Sequence, residues 1–194
     1  MHLTRLQFLW MATLFEGALL VIALILGHWL SIDPLASFTP SMLSIGLGLI
    51  GALPLFGLFM ASEKWLATAK IRELLIERMG RVLASCHTLE LIYIGFLAGI
   101  TEEFLFRGVI QPWLEQYWGW TLGLLFSNLI FALLHWITPV YGLMAGIAGL
   151  YLGLSLDIGP SRDLTVPVLI HAFYDFLAFV KVASLWRLAH ARDG

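Results

Sequence analysis

Charge is scarce in this sequence. Of its 194 residues, 12% are charged and 60% apolar, and mean hydropathy is +0.88. A soluble domain carries about a quarter charged residues, so there is too little charge to coat a water-facing globule, and a lipid bilayer must solvate much of the surface. Net charge is -2 and no basic stripe occurs, which excludes nucleic acid as an expected partner. One cysteine, Cys86, excludes an internal disulfide and a CxxC metal or redox pair. No HExxH is present, so the commonest zinc-protease helix is missing. No 20–50-residue repeat and no low-complexity linker divides the chain. One membrane domain, 1–194, is expected.

What is present is long apolar runs. A helix needs about 20 mostly apolar residues to cross a bilayer. Spans are predicted near 6–30, 42–61, 89–108, 120–137 and 166–186, with a glycine-rich sixth at 140–156. The expected fold is therefore all-α: a polytopic transmembrane helix bundle of about six spans. The first apolar run exceeds the ~7–15 residues of a signal-peptide core, and Ser31-Ile-Asp-Pro34 reads as a turn, not a cleavage site. Between spans two and three, Lys64, Lys70, Arg72, Arg78 and Arg81 supply five of the eleven basic residues. They interleave with Trp65, Leu66, Ile71, Leu74, Leu75 and Ile76, which predicts an amphipathic cytoplasmic helix. With six spans, Arg5, that loop, Lys181, Arg187 and Arg192 fall toward one side and only Arg107 and Arg162 toward the other. The positive-inside rule then puts both termini in the cytoplasm. The compact loops, without a transit segment, lead us to expect a bacterial inner or thylakoid membrane. His2, His28, His87 and His190 sit near span ends or the terminus. Trp10, Trp29, Trp118, Trp120, Trp136 and Trp186 read as interfacial anchors.

A charged side chain at the bilayer centre costs roughly 2.5–3.5 kcal/mol, so ionisable residues inside the spans demand explanation. Span three carries Thr101-Glu-Glu-Phe-Leu-Phe-Arg-Gly108, span four Phe131-Ala-Leu-Leu-His135, and span six His171-Ala-Phe-Tyr-Asp175. Glu103 and Arg107 are i,i+4 and can pair on one helical face. Glu102 points about 100° away. His171 and Asp175 also share a face. Gly95 and Gly99 would let another helix approach closely. Glu16, inside span one, would pair or face a crevice and is not counted with the site.

Such a group supports water activation. A carboxylate in a dry site acts as general base, and an imidazole shares that task or donates to an oxyanion. Glu102, His135 and His171 also form a ligand set of the kind found in catalytic zinc sites, with water in the fourth position. The residues leave both chemistries open, and with them the cofactor: zinc, another divalent metal, or none. Each motif also has a plainer explanation. Glu103–Arg107 can serve as a buried ion pair, and His135, beside Trp136, as an interfacial histidine.

Glu102-Glu103-x-x-x-Arg107, Phe131-x-x-x-His135 and His171-x-x-x-Asp175, in that order and each in a predicted membrane helix, resemble the CPBP family of intramembrane proteases. That family includes the type II CAAX prenyl endopeptidases and bacteriocin-processing or immunity proteins. The likeness covers 87–186, with 1–86 as an N-terminal helical pair and interfacial helix. Gly149–Gly153 is similar to the family's glycine-rich segment. The resemblance implies an endopeptidase acting on a membrane protein or peptide. Glu102 and His135 would activate water, Glu103 would be a second acidic catalytic group held by Arg107, Phe131 would support the second motif, and His171 with Asp175 would serve the oxyanion or orient the water. Many relatives carry Asn where this chain has Asp175, and an ionised Asp cannot donate to an oxyanion.

Two other functions compete: a non-proteolytic scaffold or immunity factor of the same fold, and a proton-coupled carrier. The predicted spans also leave a mismatch in depth. At ~1.5 Å per residue, Glu102 lies about 21 Å into span three and His171 agrees with it, whereas His135 falls nearer the cytoplasmic side. For the three to meet, span four must start deeper or Val109–Trp118 must dip into the membrane as a partly re-entrant segment.

Overall fold

The computed structural model describes residues 3–64 and 66–191. Trp65, His2 and Arg192 lie outside the described residues. The described chain is helical, without strands: α1 (Arg5–Leu30), α2 (Met42–Ala61), α3 (Leu66–Leu75), α4 (Arg81–Ser85), α5 (Thr88–Leu105), α6 (Gln111–Leu134), α7 (Pro139–Ser155) and α8 (Thr165–His190). Four helical stretches are long and apolar enough to cross a membrane, the third being the 47 residues Thr88–Leu134. Pro139–Ser155 is a shorter apolar helix.

Helix starts follow local chemistry. Thr4 caps α1 and forms a reciprocal box with Gln7, and Ser41 does the same for α2 with Ser44, satisfying backbone N–H groups that no preceding turn can reach. The outward faces are apolar: Leu14, Trp29, Leu129 and Leu133 are exposed. In water those side chains would be a liability, and in a bilayer they are solvated.

The third span does not end near Gly108, as the hydropathy suggested. A π turn, Phe106–Ile110, joins α5 to α6, so helix continues to Trp118. Nor is Val109–Trp118 a re-entrant loop. The chain reverses at Gly119, whose φ of 76° and ψ of 167° suit only a residue without Cβ. The reversal is tight: a Cβ on Gly123 would stand 2.6 Å from the Glu115 backbone nitrogen. The 47-residue stretch is thus two antiparallel arms, which with α1, α2, α7 and α8 account for the six predicted spans. It also removes the depth mismatch. Glu102 precedes Gly119 by 17 residues and His135 follows it by 16, so equal rises along opposed arms bring both to one level.

The predicted amphipathic segment between spans two and three is a short 3₁₀ turn, α3, a π turn and α4. Ile71 turns inward and is buried, while Lys70 is exposed. Trp186 packs against Gly80 and stacks on His190. Trp120 donates to Asp157. Both tryptophans therefore have protein partners.

Candidate active site

Helices α5 and α8 set the site. A Cβ on Gly99 would lie 2.7 Å from the Ala172 backbone nitrogen, so only glycine permits this approach. The close neighbour anticipated for Gly99 is α8, and for Gly95 as well, whose Cβ would meet Ala172 O at 2.9 Å. One turn beyond Gly99 stands Glu103, and immediately before Ala172 stands His171. They are hydrogen-bonded, His171 Nδ1 to Glu103 Oε1, at 2.8 Å.

Glu103 is fully buried, and so is Arg107, at 1% exposure. Arg107 Nη1 donates to Glu103 Oε1 at 3.0 Å, and Nη2 donates to the Gly149 carbonyl at 2.6 Å. The guanidinium also lies 4.8 Å from the Phe131 ring centroid, a cation–π arrangement in a desolvated setting. Phe131 stacks on His135 at 4.2 Å and presents its edge toward His171 at 6.5 Å. It is the packing hub of the cluster, which the sequence indicated only as a supporting position.

Glu102 diverges from Glu103 as the helical angle requires. Its Oε2 is buried without a hydrogen-bond partner and faces His135 Nε2 at 3.6 Å. His135 Nδ1 contacts the Phe131 carbonyl at 2.8 Å. A carbonyl only accepts, so Nδ1 carries the hydrogen and a neutral ring presents its Nε2 lone pair to Glu102. On α8, Asp175 Oδ2 lies 3.7 Å from His171 Nε2.

These groups border a cavity of about 510 Å³. Its polar lining includes Glu102, His135, His171 and Asp175. Its apolar walls come from α2, α3, α7 and α8, with Leu58, Ile71, Met144 and Phe179 among them.

The structure adds residues that sequence reasoning missed. Glu16 accepts a hydrogen bond from Thr101, next to Glu102, at 2.5 Å and borders the cavity; it had been set aside. Asn128 Nδ2 donates to Gly146 O at 2.8 Å, tying α6 to α7 a turn before Phe131. Tyr141 and Tyr174 also face the cavity. Tyrosine is so ordinary near membrane interfaces that no signal marked them.

The metal alternative is testable on the donor set. Among the described residues, no group of three or more His, Cys, Asp or Glu side chains could hold a metal ion. His171 commits Nδ1 to Glu103 and turns Nε2 toward Asp175, so Glu102, His135 and His171 as arranged do not form the expected ligand set.

A membrane-embedded helix bundle that buries carboxylates and imidazoles around a cavity has the architecture of an intramembrane enzyme or carrier. Residues 84–177 match the family model described as Type II CAAX prenyl endopeptidase Rce1-like. The matched stretch contains Glu102, His135, His171 and Asp175. The match points to CAAX-type intramembrane protease activity. No curated protein and no solved structure matches the chain.

Proposed function

We propose that the protein is an intramembrane endopeptidase that hydrolyses a peptide bond of a membrane-associated protein or peptide with water activated by Glu102 and His135. The observation carrying this reading is the buried, unpartnered Glu102 Oε2 facing His135 Nε2 at 3.6 Å. Two lone pairs at that separation repel unless a donor lies between them. A water donating one hydrogen to each acceptor satisfies both and aims its oxygen into the cavity. Glu102 then takes a proton as the oxygen attacks, and returns it to the departing amine. Glu103, whose Oε1 accepts from both Arg107 and His171, holds the two helices in register. Asp175, an acceptor when ionised, orients His171. These steps use only the chain's own groups.

The apolar cavity leading to this polar end suits a substrate whose cleavage site adjoins a hydrophobic group, and the family's name makes a prenylated CAAX peptide the first candidate. The test is cleavage of a farnesylated CAAX peptide and a membrane-peptide library by purified protein in liposomes, wild type beside Glu102→Gln. Loss of the general base is expected to cost about 10²–10⁴ in rate. Full cleavage by Glu102→Gln would overturn the reading. Activity that survives a strong chelator supports these steps, whereas loss on chelation and recovery with zinc overturns them in favour of a metal site.

The proposed orientation puts both termini in the cytoplasm of a bacterial-type inner or thylakoid membrane. Arg107 is neutralised at depth by Glu103 and Arg162 by Glu115 and Asp157, and the larger number of basic residues lies toward the other side. A C-terminal fluorescent-protein fusion is expected to fluoresce; a dark, exported fusion reverses the orientation.

A further inference from the structure

An attacking water is half of the chemistry, because the carbonyl oxygen of the scissile bond becomes an oxyanion that needs donors about 2.7–3.1 Å away. Most donors around the cavity are engaged elsewhere. His135 Nδ1 is held by the Phe131 carbonyl. His171 gives Nδ1 to Glu103 at 2.8 Å and has an Asp175 carboxyl oxygen 3.7 Å from Nε2. Arg107 uses Nη1 and Nη2 on Glu103 and Gly149 and does not border the cavity. Ser62 donates to Phe59 O at 2.6 Å, and Thr68 donates to Ser62 O. Asp175 has no proton to give when ionised.

Two phenols remain. Buried tyrosine hydroxyls ordinarily find a partner, and others in this chain do: Tyr151 donates to Gly51 O at 2.9 Å, and Tyr93 shares a hydrogen bond with Thr13 at 2.9 Å. Tyr141 and Tyr174 border the cavity, and among the described residues neither hydroxyl has a hydrogen-bond partner. Tyr141 lines the same cavity as Glu102, His135 and Asp175, the groups among which the water would act. Tyr141 also sits in the first turn of α7, where its backbone N–H is capped by the Thr138 hydroxyl at 3.1 Å. That cap fixes the turn carrying the ring.

We infer that Tyr141 is a further catalytic residue, whose phenolic O–H donates to the oxyanion formed when water adds to the substrate carbonyl. The inference rests on the hydrolytic reading above. The water oxygen bonds to the carbonyl carbon, its proton passes to Glu102, and the carbonyl π pair moves onto oxygen, where Tyr141 meets it. Collapse restores the C=O, breaks the C–N bond, and sends the proton from Glu102 to the amine. Tyr141 keeps its proton throughout.

The experiment compares wild type, Tyr141→Phe and Glu102→Gln on a farnesylated CAAX peptide in liposomes, and measures binding of a phosphinate version of that peptide as a tetrahedral mimic. Removing one oxyanion donor is expected to lower kcat about 10²–10³-fold with KM nearly unchanged. The phosphinate should bind more weakly by a comparable factor, while an uncleavable ground-state peptide binds as before. Tyr141→4-aminophenylalanine retains a ring donor and should restore part of the rate, which separates donation from folding if Tyr141→Phe is unstable. A kcat within threefold of wild type for Tyr141→Phe, beside an inactive Glu102→Gln, overturns the role of Tyr141 and leaves the hydrolytic reading intact. An unaffected Glu102→Gln, or a wild type that cleaves nothing, overturns both.

Discussion

Replacing Arg107 with Leu tests whether the innermost ion pair carries real charge. The guanidinium and the Glu103 carboxyl are at 1% and 0% exposure and 3.0 Å apart. Removing Arg107 leaves Glu103 with His171 as its remaining donor and deprives the Gly149 carbonyl of its 2.6 Å partner. Breaking a buried pair by deleting one member costs about 3–5 kcal/mol. A hydrogen bond between membrane helices averages only about 0.6 kcal/mol and reaches ~1.7. The two magnitudes are far enough apart to decide. The assay is reversible unfolding in mixed micelles, followed by tryptophan fluorescence, for Arg107→Leu, Glu103→Leu and the double variant. Arg107→Leu should lose about 3–5 kcal/mol. The double variant should lose much less than the sum, giving a coupling energy of about 2–3 kcal/mol. A coupling near 0.6 kcal/mol would mean that the Glu103 carboxyl is neutral and the contact an ordinary membrane hydrogen bond, and the account of Glu103 as an ionic anchor would be refuted.

Gly119→Ala should destabilise by about 1–3 kcal/mol in the same assay. No heavy atom lies within 4 Å of a Cβ built there, so the cost is purely that of an alanine at φ 76°; a loss below ~0.5 kcal/mol would show that the turn relaxes. At the same end of the hairpin, Arg162 bridges Asp157 at 2.8 Å and Glu115 at 2.6 Å, and its hydrogen bonds hold the Asp157 carboxyl below the usual carboxylate range. A depressed folded pKa means stability that is present above the unfolded value of ~3.9 and lost as pH falls through the lower folded value. Both side chains are partly exposed, so Arg162→Gln should cost about 1 kcal/mol at pH 7, a fall in Tm of about 2–4 °C. The gap from wild type should close below about pH 4; a gap that persists there would assign the effect to packing.

The site was largely legible because charge inside an apolar run has few innocent explanations. Glu102, Glu103, Arg107, His135, His171 and Asp175 all stood out on that ground, and helical spacing alone separated Glu102 from its neighbour. The edges of span three were misread for the converse reason. Gln111 and Glu115 look like a departure from the membrane, but they continue the helix, Gln111 donating to Glu115 and Arg162 pairing with Glu115. Glu16 was legible as a residue that would pair or face a crevice, but its partner was not, because Thr101 is 85 positions away and only the packing of α1 on α5 joins them. Tyr141 and Tyr174 were illegible because their chemistry depends on a missing hydrogen bond, which no sequence records.

The adjacency of Glu102 and Glu103 follows from what one helix must do at this depth. The close approach set by Gly99 brings α5 and α8 within hydrogen-bonding distance at one point, and the group there must accept from two cations or imidazoles at once. Glu103 does this with Oε1 alone, toward Arg107 and His171. Glu103 is also absent from the cavity lining, so it cannot take a proton from a water held there. Basicity must therefore reside in a second carboxylate on the same rigid turn that escapes those donors. The next residue along a helix is rotated by about 100°, enough to carry Glu102 out of reach of Arg107 and into the cavity opposite His135. One anchored glutamate holds the geometry in which an unanchored one faces the water.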